Sequence, residues 1–225
     1  PERLGDFRLI ERLGAGGMGV VYRAEQSSLG REVALKLIRP DQLYFPGAHD
    51  RFRREVELIA RLQHPGIVPV HTVGEEQGIP YFAMELVHGA TIAELLEELE
   101  GQDPARIRGS ALADALERLT DCPVERDAPL FRGSWEDVCL RAIRSASAAV
   151  AYAHARGVLH RDVKPSNLML TLDGRVLLLD FGLASTEGVS KLTRTGSIVG
   201  SVHYMAPEIL RGVNYGKKAD IWSAG

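Results

Sequence analysis

Two stretches of the chain hold residues whose types and spacing could do chemistry. The first is His160-Arg161-Asp162-Val163-Lys164-Pro165-Ser166-Asn167, followed after a strand-like run and a turn by Asp180-Phe181-Gly182. Moving a terminal phosphoryl group onto a hydroxyl needs a carboxylate to orient the hydroxyl and take its proton. It also needs metal ligands to neutralise the phosphates, and a cation near the group in transfer. Asp162 suits the first task, Asn167 with Asp180 the second and Lys164 the third.

The second stretch is Gly14-Ala15-Gly16-Gly17-Met18-Gly19-Val20-Val21, a GxGxxGxV pattern in which missing side chains let backbone N–H groups approach a polyphosphate. Alone this signal is weak, because a glycine-rich hairpin without a ligand has the same spacing. A dinucleotide-binding turn would need a helix after the glycines, whereas Val20-Val21-Tyr22-Arg23-Ala24-Glu25 reads as a strand, so the loop is expected to be a β-hairpin lid. Val33-Ala34-Leu35-Lys36 then places a lysine on the third strand, its stem flanked by apolar residues that would aim the ammonium at phosphates. Glu55 shares a helix face with Leu58, Ile59 and Leu62, so its carboxylate is expected to point inward, where it needs a cation; Lys36 is the nearest candidate.

The elements that must position these residues follow from periodicity. Short β-rich runs are predicted at 7–13, 19–25, 32–38, 67–73 and 79–84, interrupted by one helix over 50–63 with Phe52, Val56, Ile59 and Leu62 at helical spacing. His64-Pro65-Gly66 stops that helix. The character changes near residues 85–90, where Thr91 and Glu94 form a capping-box pattern ahead of Leu95, Leu96 and Leu99. A longer helix is predicted over 135–156, with Ser134 and Asp137 as caps, a stripe of Val138, Ala142, Ala146, Ala149 and Ala153, and Gly157 as its stop. Residues 101–133, with three prolines and many charges, read as a surface insertion holding one short helix around Leu112, Leu116 and Leu119.

Composition bounds the partners. With 225 residues, 45% hydrophobic and 25% charged, the chain can bury a core, and a formal net charge of −3 gives no basic field for nucleic acid or a polybasic membrane anchor. The two cysteines, Cys122 and Cys139, have neither metal-ligand nor CxxC spacing, which suits a reducing cytoplasm. No apolar run approaches the roughly 20 residues that span a bilayer, so no membrane contact is expected within this segment.

Taken in order, the glycine loop, strand lysine, helix glutamate, catalytic loop, Asp180-Phe181-Gly182, Ala206-Pro207-Glu208 and Asp220-Ile221-Trp222-Ser223-Ala224-Gly225 resemble the eukaryotic-like (Hanks-type) serine/threonine protein kinases, particularly the bacterial ones. The resemblance covers nearly the whole chain. It implies an α+β, two-lobed protein-kinase-like fold: an N-lobe over 1–84, a hinge over 85–90 and a partial C-lobe over 91–225. It implies ATP with Mg2+, or Mn2+ in its place, as cofactors, and protein substrates with serine or threonine acceptors.

By the same resemblance, Leu13, Gly14 and Val21 frame the nucleotide, Ala34 and Met169 sandwich adenine, Met84 guards the back pocket, and Glu85 and Val87 supply hinge backbone hydrogen bonds. Ile59, Val70, His160 and Phe181 would stack as a column anchored by Asp220, which gives His160 a structural role. Lys164, two residues after Asp162, marks serine/threonine specificity. Arg161 implies a cationic pocket for a phosphorylated activation segment over 180–208, with Thr193 and Thr195 as the leading phosphoacceptors and transient self-association for autophosphorylation.

Two departures stand out. Ser201 occupies a position where such kinases usually carry threonine. The chain also stops at Gly225, early in the central helix of the large lobe, so that Glu208 lacks its arginine partner, the isolated chain is expected to be unstable or weakly active, and a membrane anchor could follow downstream. A nucleotide-binding scaffold without catalysis and a small-molecule phosphotransferase remain as alternatives. The intact set Lys36, Glu55, Asp162, Asn167 and Asp180 speaks against the first, and the segment ending in Ala206-Pro207-Glu208 against the second.

Overall fold

Val33, Ala34, Leu35 and Lys36 are all buried, the mark of a strand covered on both faces, and this strand sits inside a six-stranded sheet. The computed structural model describes residues 2–16, 19–39, 48–182, 201–212 and 215–225. It divides into two compact units, the first comprising the described residues of Pro1–Gln63 and Val68–Val87.

The first unit contains β1 (Arg3–Leu4), β2 (Phe7–Gly16), β3 (Gly19–Gln26), β4 (Arg31–Ile38), α1 (Ala48–Ala60), β5 (Val70–Glu76) and β6 (Ile79–Glu85). Its antiparallel sheet runs β1-β2-β3-β4-β6-β5, and Phe7, Ala24, Val33, Leu35 and Ala83 form the core beneath it. On α1, Phe52, Val56 and Ile59 are buried, followed by Leu62 just past its end. Leu58 is 45% exposed, which corrects the inward face assigned to it. Two residues on from Val56 is about 200° around a helix, so Leu58 falls opposite the buried stripe.

The second unit comprises His64–Ile67, His88–Gly182 and the described residues of Gly188–Gly225. It holds β7 (Gly89–Thr91), α2 (Ile92–Glu98), α3 (Gly109–Thr120), α4 (Trp135–Ala155), β8 (Leu168–Thr171), β9 (Val176–Leu178), α5 (Pro207–Leu210) and α6 (Lys217–Ala224), with a second sheet in the order β7-β8-β9. His64–Ile67 groups here because the Leu178 N–H donates to the Gly66 carbonyl at 2.8 Å and Ile67 bridges to Leu178. The expected capping box of Thr91 with Glu94 forms on α2, and the cap candidates Ser134 and Asp137 form a second one on α4. Gly157, at φ 77°, follows the end of α4 in the left-handed region. Along α4, Ala149 and Ala153 are fully buried, and a side chain at Gly66 would come within 3.3 Å of the Ala149 Cβ.

The segment 101–133 is not a surface appendage. Leu112, Ala113, Ala115 and Leu116 of α3 are buried, and nine of the fifteen buried residues in the larger core cluster come from this stretch. Its prolines and charges lie on turns and outer faces, while its apolar residues fill the space between α2, α4 and the β7-β8-β9 sheet; Leu119 alone of the predicted leucine stripe is exposed, at 42%.

Candidate active site

In the second unit the site is built outward from one buried carboxylate. Asp220 on α6 is fully buried and therefore needs donors on both oxygens. Oδ2 accepts from the His160 backbone N–H at 2.8 Å and from His154 Nε2 at 2.7 Å. Oδ1 accepts from the Arg161 N–H at 2.7 Å and from the Tyr215 hydroxyl at 2.8 Å. Arg161 has a φ of 67°, a left-handed conformation that costs a non-glycine residue about 1–3 kcal/mol, and Asp220 bonds to its N–H. Burial, then the charge of Asp220, pushes the Tyr215 hydroxyl far above its usual range, so it stays a donor at working pH.

His160 comes next. Its Nε2–H donates to the Leu179 carbonyl at 2.7 Å while its Nδ1 accepts from the Asp162 N–H at 3.3 Å, and only the neutral Nε2–H tautomer does both. Burial lowers its pKa, outweighing the Leu179 carbonyl and the charges of Asp220, Asp162 and Asp180 that favour protonation. Its ring lies 4.7 Å from that of Phe181. His160 is thus a neutral bridge between residues 160–167 and 179–182. Two backbone bonds reinforce it: Leu179 N–H to the Asn167 carbonyl at 2.8 Å and Gly182 N–H to the His160 carbonyl at 2.6 Å.

On this frame stand the candidate reacting groups. Asp162 Oδ2 receives the Lys164 ammonium at 2.8 Å and the Asn167 side-chain amide at 2.8 Å. The same amide nitrogen donates to the Asp162 backbone carbonyl at 2.7 Å, so both bonds to Asp162 fall on the nitrogen and neither on the amide oxygen. The side chains of Asp162 and Lys164 keep 30% and 21% of their surface, enough for a substrate hydroxyl to reach them. Asp180, with a φ of 40°, ends the strand-to-loop passage after β9.

A carboxylate and an amide oxygen are hard donors that suit Mg2+ or Mn2+, ions commonly bound by one or two carboxylates with nucleotide phosphates and water completing the shell. Among the described residues no group of three or more His, Cys, Asp or Glu could hold an ion by itself. An apolar cavity of about 750 Å³ beside α2, α4 and α6 has Lys164 and Pro165 on its wall, but such a lining offers a polyphosphate few donors.

The first unit carries the other candidates. β2 and β3 pair as a hairpin through Gly14 with Val21, Ala15 with Val20 and Gly16 with Gly19, as the strand reading required. A Cβ at Gly14 or Gly16 would meet nothing within 4 Å, whereas at Gly19 it would lie 1.9 Å from the Leu37 carbonyl oxygen. Packing therefore explains Gly19 but not the other two. Lys36 is 6% exposed, its ammonium 5.8 Å from the Phe82 ring centre, and Glu55 is half-buried on α1. Ala34 and Met84 are buried and paired across β4 and β6. The Glu85 N–H already donates to the Pro69 carbonyl at 3.0 Å, so its carbonyl is what it can offer a ligand.

In the column expected from the resemblance, His160 and Phe181 touch within the second unit, while Ile59 and Val70 belong to the first. In the second unit Met169 pairs with Thr91 and Leu177. Gly17, Met18, Thr193 and Thr195 lie outside the described residues, as does the side chain of Ser201. Sequence reasoning missed His154 and Tyr215. The signal was indirect: an aspartate inside the helix Lys217–Ala224 that is wholly buried must find donors elsewhere.

The protein kinase domain family model matches residues 7–225. A probable serine/threonine-protein kinase of Streptomyces coelicolor is 36% identical over all of this chain and 30% of its own length. The serine/threonine-protein kinase PrkC of Bacillus subtilis is 33% identical over 98% of this chain and 29% of its own length. PknD of Mycobacterium tuberculosis, also a serine/threonine-protein kinase, is 34% identical over 98% of this chain and 28% of its own. The chain thus spans less than a third of these relatives. Among solved structures, the PknI kinase domain of Mycobacterium tuberculosis superposes with a TM-score of 0.68 at 28% identity, covering 99% of this chain and 72% of that one.

Proposed function

The chain belongs to the protein kinase domain family, and from that premise we propose that it transfers the γ-phosphate of ATP to serine and threonine hydroxyls of proteins. The observation that carries this reading is the Asp162 carboxylate with Lys164 and Asn167 both 2.8 Å from its Oδ2. Held by that oxygen, Asp162 can offer Oδ1 to an incoming hydroxyl, orient it and accept its proton as the new P–O bond forms and ADP departs. Lys164, within reach of the same carboxylate, would stabilise the charge on the group in transfer. Asn167, through its amide oxygen, and Asp180 are the residues we assign to a divalent ion, which when bound neutralises phosphate charge. For nucleotide binding we assign Lys36, positioned by Glu55, together with the glycine loop, Ala34, Met84, Glu85, Val87 and Met169.

Autophosphorylation at Thr193 or Thr195 belongs to the same proposal, supported by the Arg161 that precedes Asp162. Action in the cytoplasm is supported by two cysteines that stand as free thiols. Asp162→Asn keeps the shape of the side chain but not its basicity, and we expect kcat to fall by about 10²–10⁴-fold while nucleotide still binds. A radiolabelled-ATP assay with a generic protein acceptor, run beside a nucleotide titration, measures both. Undiminished transfer in the variant would remove Asp162 from this role, and transfer to small alcohols but not to protein would reassign the substrate.

A further inference from the structure

The candidate metal ligands Asn167 and Asp180 stand at the open end of one hairpin. Asn167 directly precedes β8 and Asp180 follows β9 by one residue, with Leu168 paired to Leu178 between them and the Leu179 N–H bonded to the Asn167 carbonyl at 2.8 Å. The relative position of the two ligands therefore depends on how this hairpin is seated. Its inner side chains, Leu170 and Val176, are buried in the cluster to which the segment 101–133 contributes most residues.

At the closed end the contact is tighter. The Glu125 N–H donates to the Leu172 carbonyl at 2.9 Å. Gly174, at φ 78°, turns so close to the segment that a Cβ there would lie 2.7 Å from the Ala128 Cβ, 3.3 Å from Phe131 Cε2 and 3.7 Å from the Leu130 Cβ. A two-stranded hairpin is at best marginally stable by itself, so its geometry is set by what it lies on.

We infer that the segment 101–133 is a brace that seats the β8–β9 hairpin and through it sets the spacing of Asn167 and Asp180. It is a positioning element and touches no reacting atom. The inference rests on the proposed assignment of those two residues to a divalent ion. Supporting contacts of this kind around metal ligands typically change affinity about 10–100-fold when lost.

The test uses the full chain, with Mn2+ and ADP as the probe, and needs no turnover. Ala128→Val pushes against Gly174 from the segment side, and Phe131→Leu is a milder change at the same contact should the first variant fold poorly. Leu4→Ala, a core truncation in the first unit, controls for general loss of stability. Calorimetric titration of Mn2+ in the presence of ADP and hydrogen exchange at the Leu179 amide are measured on each. We expect Mn2+ affinity to fall about ten-fold in the two segment variants, with faster exchange at Leu179, and neither change in Leu4→Ala. Segment variants that lose stability like the control but keep Mn2+ affinity and Leu179 protection would overturn the inference. Metal binding that responds as expected in a protein without phosphotransfer would leave the brace standing and sink the proposed activity.

Discussion

At the scale of the residue, the site is a set of polar groups each fixed by another. Asp162 is held by Lys164 and Asn167, its backbone by His160, and the backbone of His160 and Arg161 by Asp220. Asp220 is in turn satisfied by His154 and Tyr215. Tyr215→Phe removes one of four donors from a fully buried carboxylate without leaving a cavity. A hydrogen bond to a charged group is worth about 1.5–3 kcal/mol, and the partly exposed Tyr215 belongs at the lower end of that range. Urea unfolding of the wild type and the variant measures the loss, and an unchanged midpoint would show that the hydroxyl contributes nothing. The motif residues of this set were legible because Asp162, Lys164 and Asn167 lie within six positions of one another. His154 and Tyr215 were not, since a histidine 66 positions before its partner gives no local pattern.

At the scale of the element, the glycine hairpin separates what folding requires from what a ligand requires. Gly19→Ala drives a Cβ into the Leu37 carbonyl at 1.9 Å and must spread the β3–β4 pair. Overpacking of this kind costs about 1–3 kcal/mol. Gly14→Ala meets nothing within 4 Å and should stay within about 0.5 kcal/mol of wild type in stability. If the loop approaches phosphates through bare backbone, Gly14→Ala should nevertheless weaken ATP binding. Thermal melts with and without Mg-ATP separate the two effects, and a Gly14→Ala protein that melts normally and binds ATP normally would mean that the open glycine serves no ligand. Helix caps and strand positions were legible because capping boxes and alternating burial are set by neighbours in sequence. The burial of α3 was not, because an amphipathic helix announces an apolar face without saying what covers it.

At the scale of the whole molecule, the second unit holds a histidine that folding keeps neutral. Burial lowers His160 in the second unit; in the first, desolvation and then the charge of Arg31 shift His71 the same way, against Glu85, but His71 stands exposed on β5 and contributes little. A histidine with a lowered folded pKa binds its proton more readily when unfolded. Its contribution is therefore complete above the unfolded value of about 6.5 and is lost as pH falls below it. The slope from His160 alone approaches about 1.4 kcal/mol per pH unit. Carboxylates such as Glu117, lowered by its bond to Arg126, and Asp137, lowered by the Ser134 amide, act in the same direction, but only near and below pH 4. Urea midpoints should thus hold steady from pH 8 to 7 and fall between 6.5 and 5; a flat profile there would mean that His160 is protonated in the folded protein. The sequence by itself determined the capped helices and the strands read at 7–13, 19–25, 32–38 and 79–84, and it named the candidate transfer residues, because those depend on contiguous residues whose chemistry is written in their types; the run read at 67–73 forms instead as Val70–Glu76. Only the tertiary structure decided that 101–133 lies in the core and that Asp220 is shared by His154 and Tyr215. Burial and long-range hydrogen bonding depend on which surfaces meet, and many pairings are compatible with one apolar pattern.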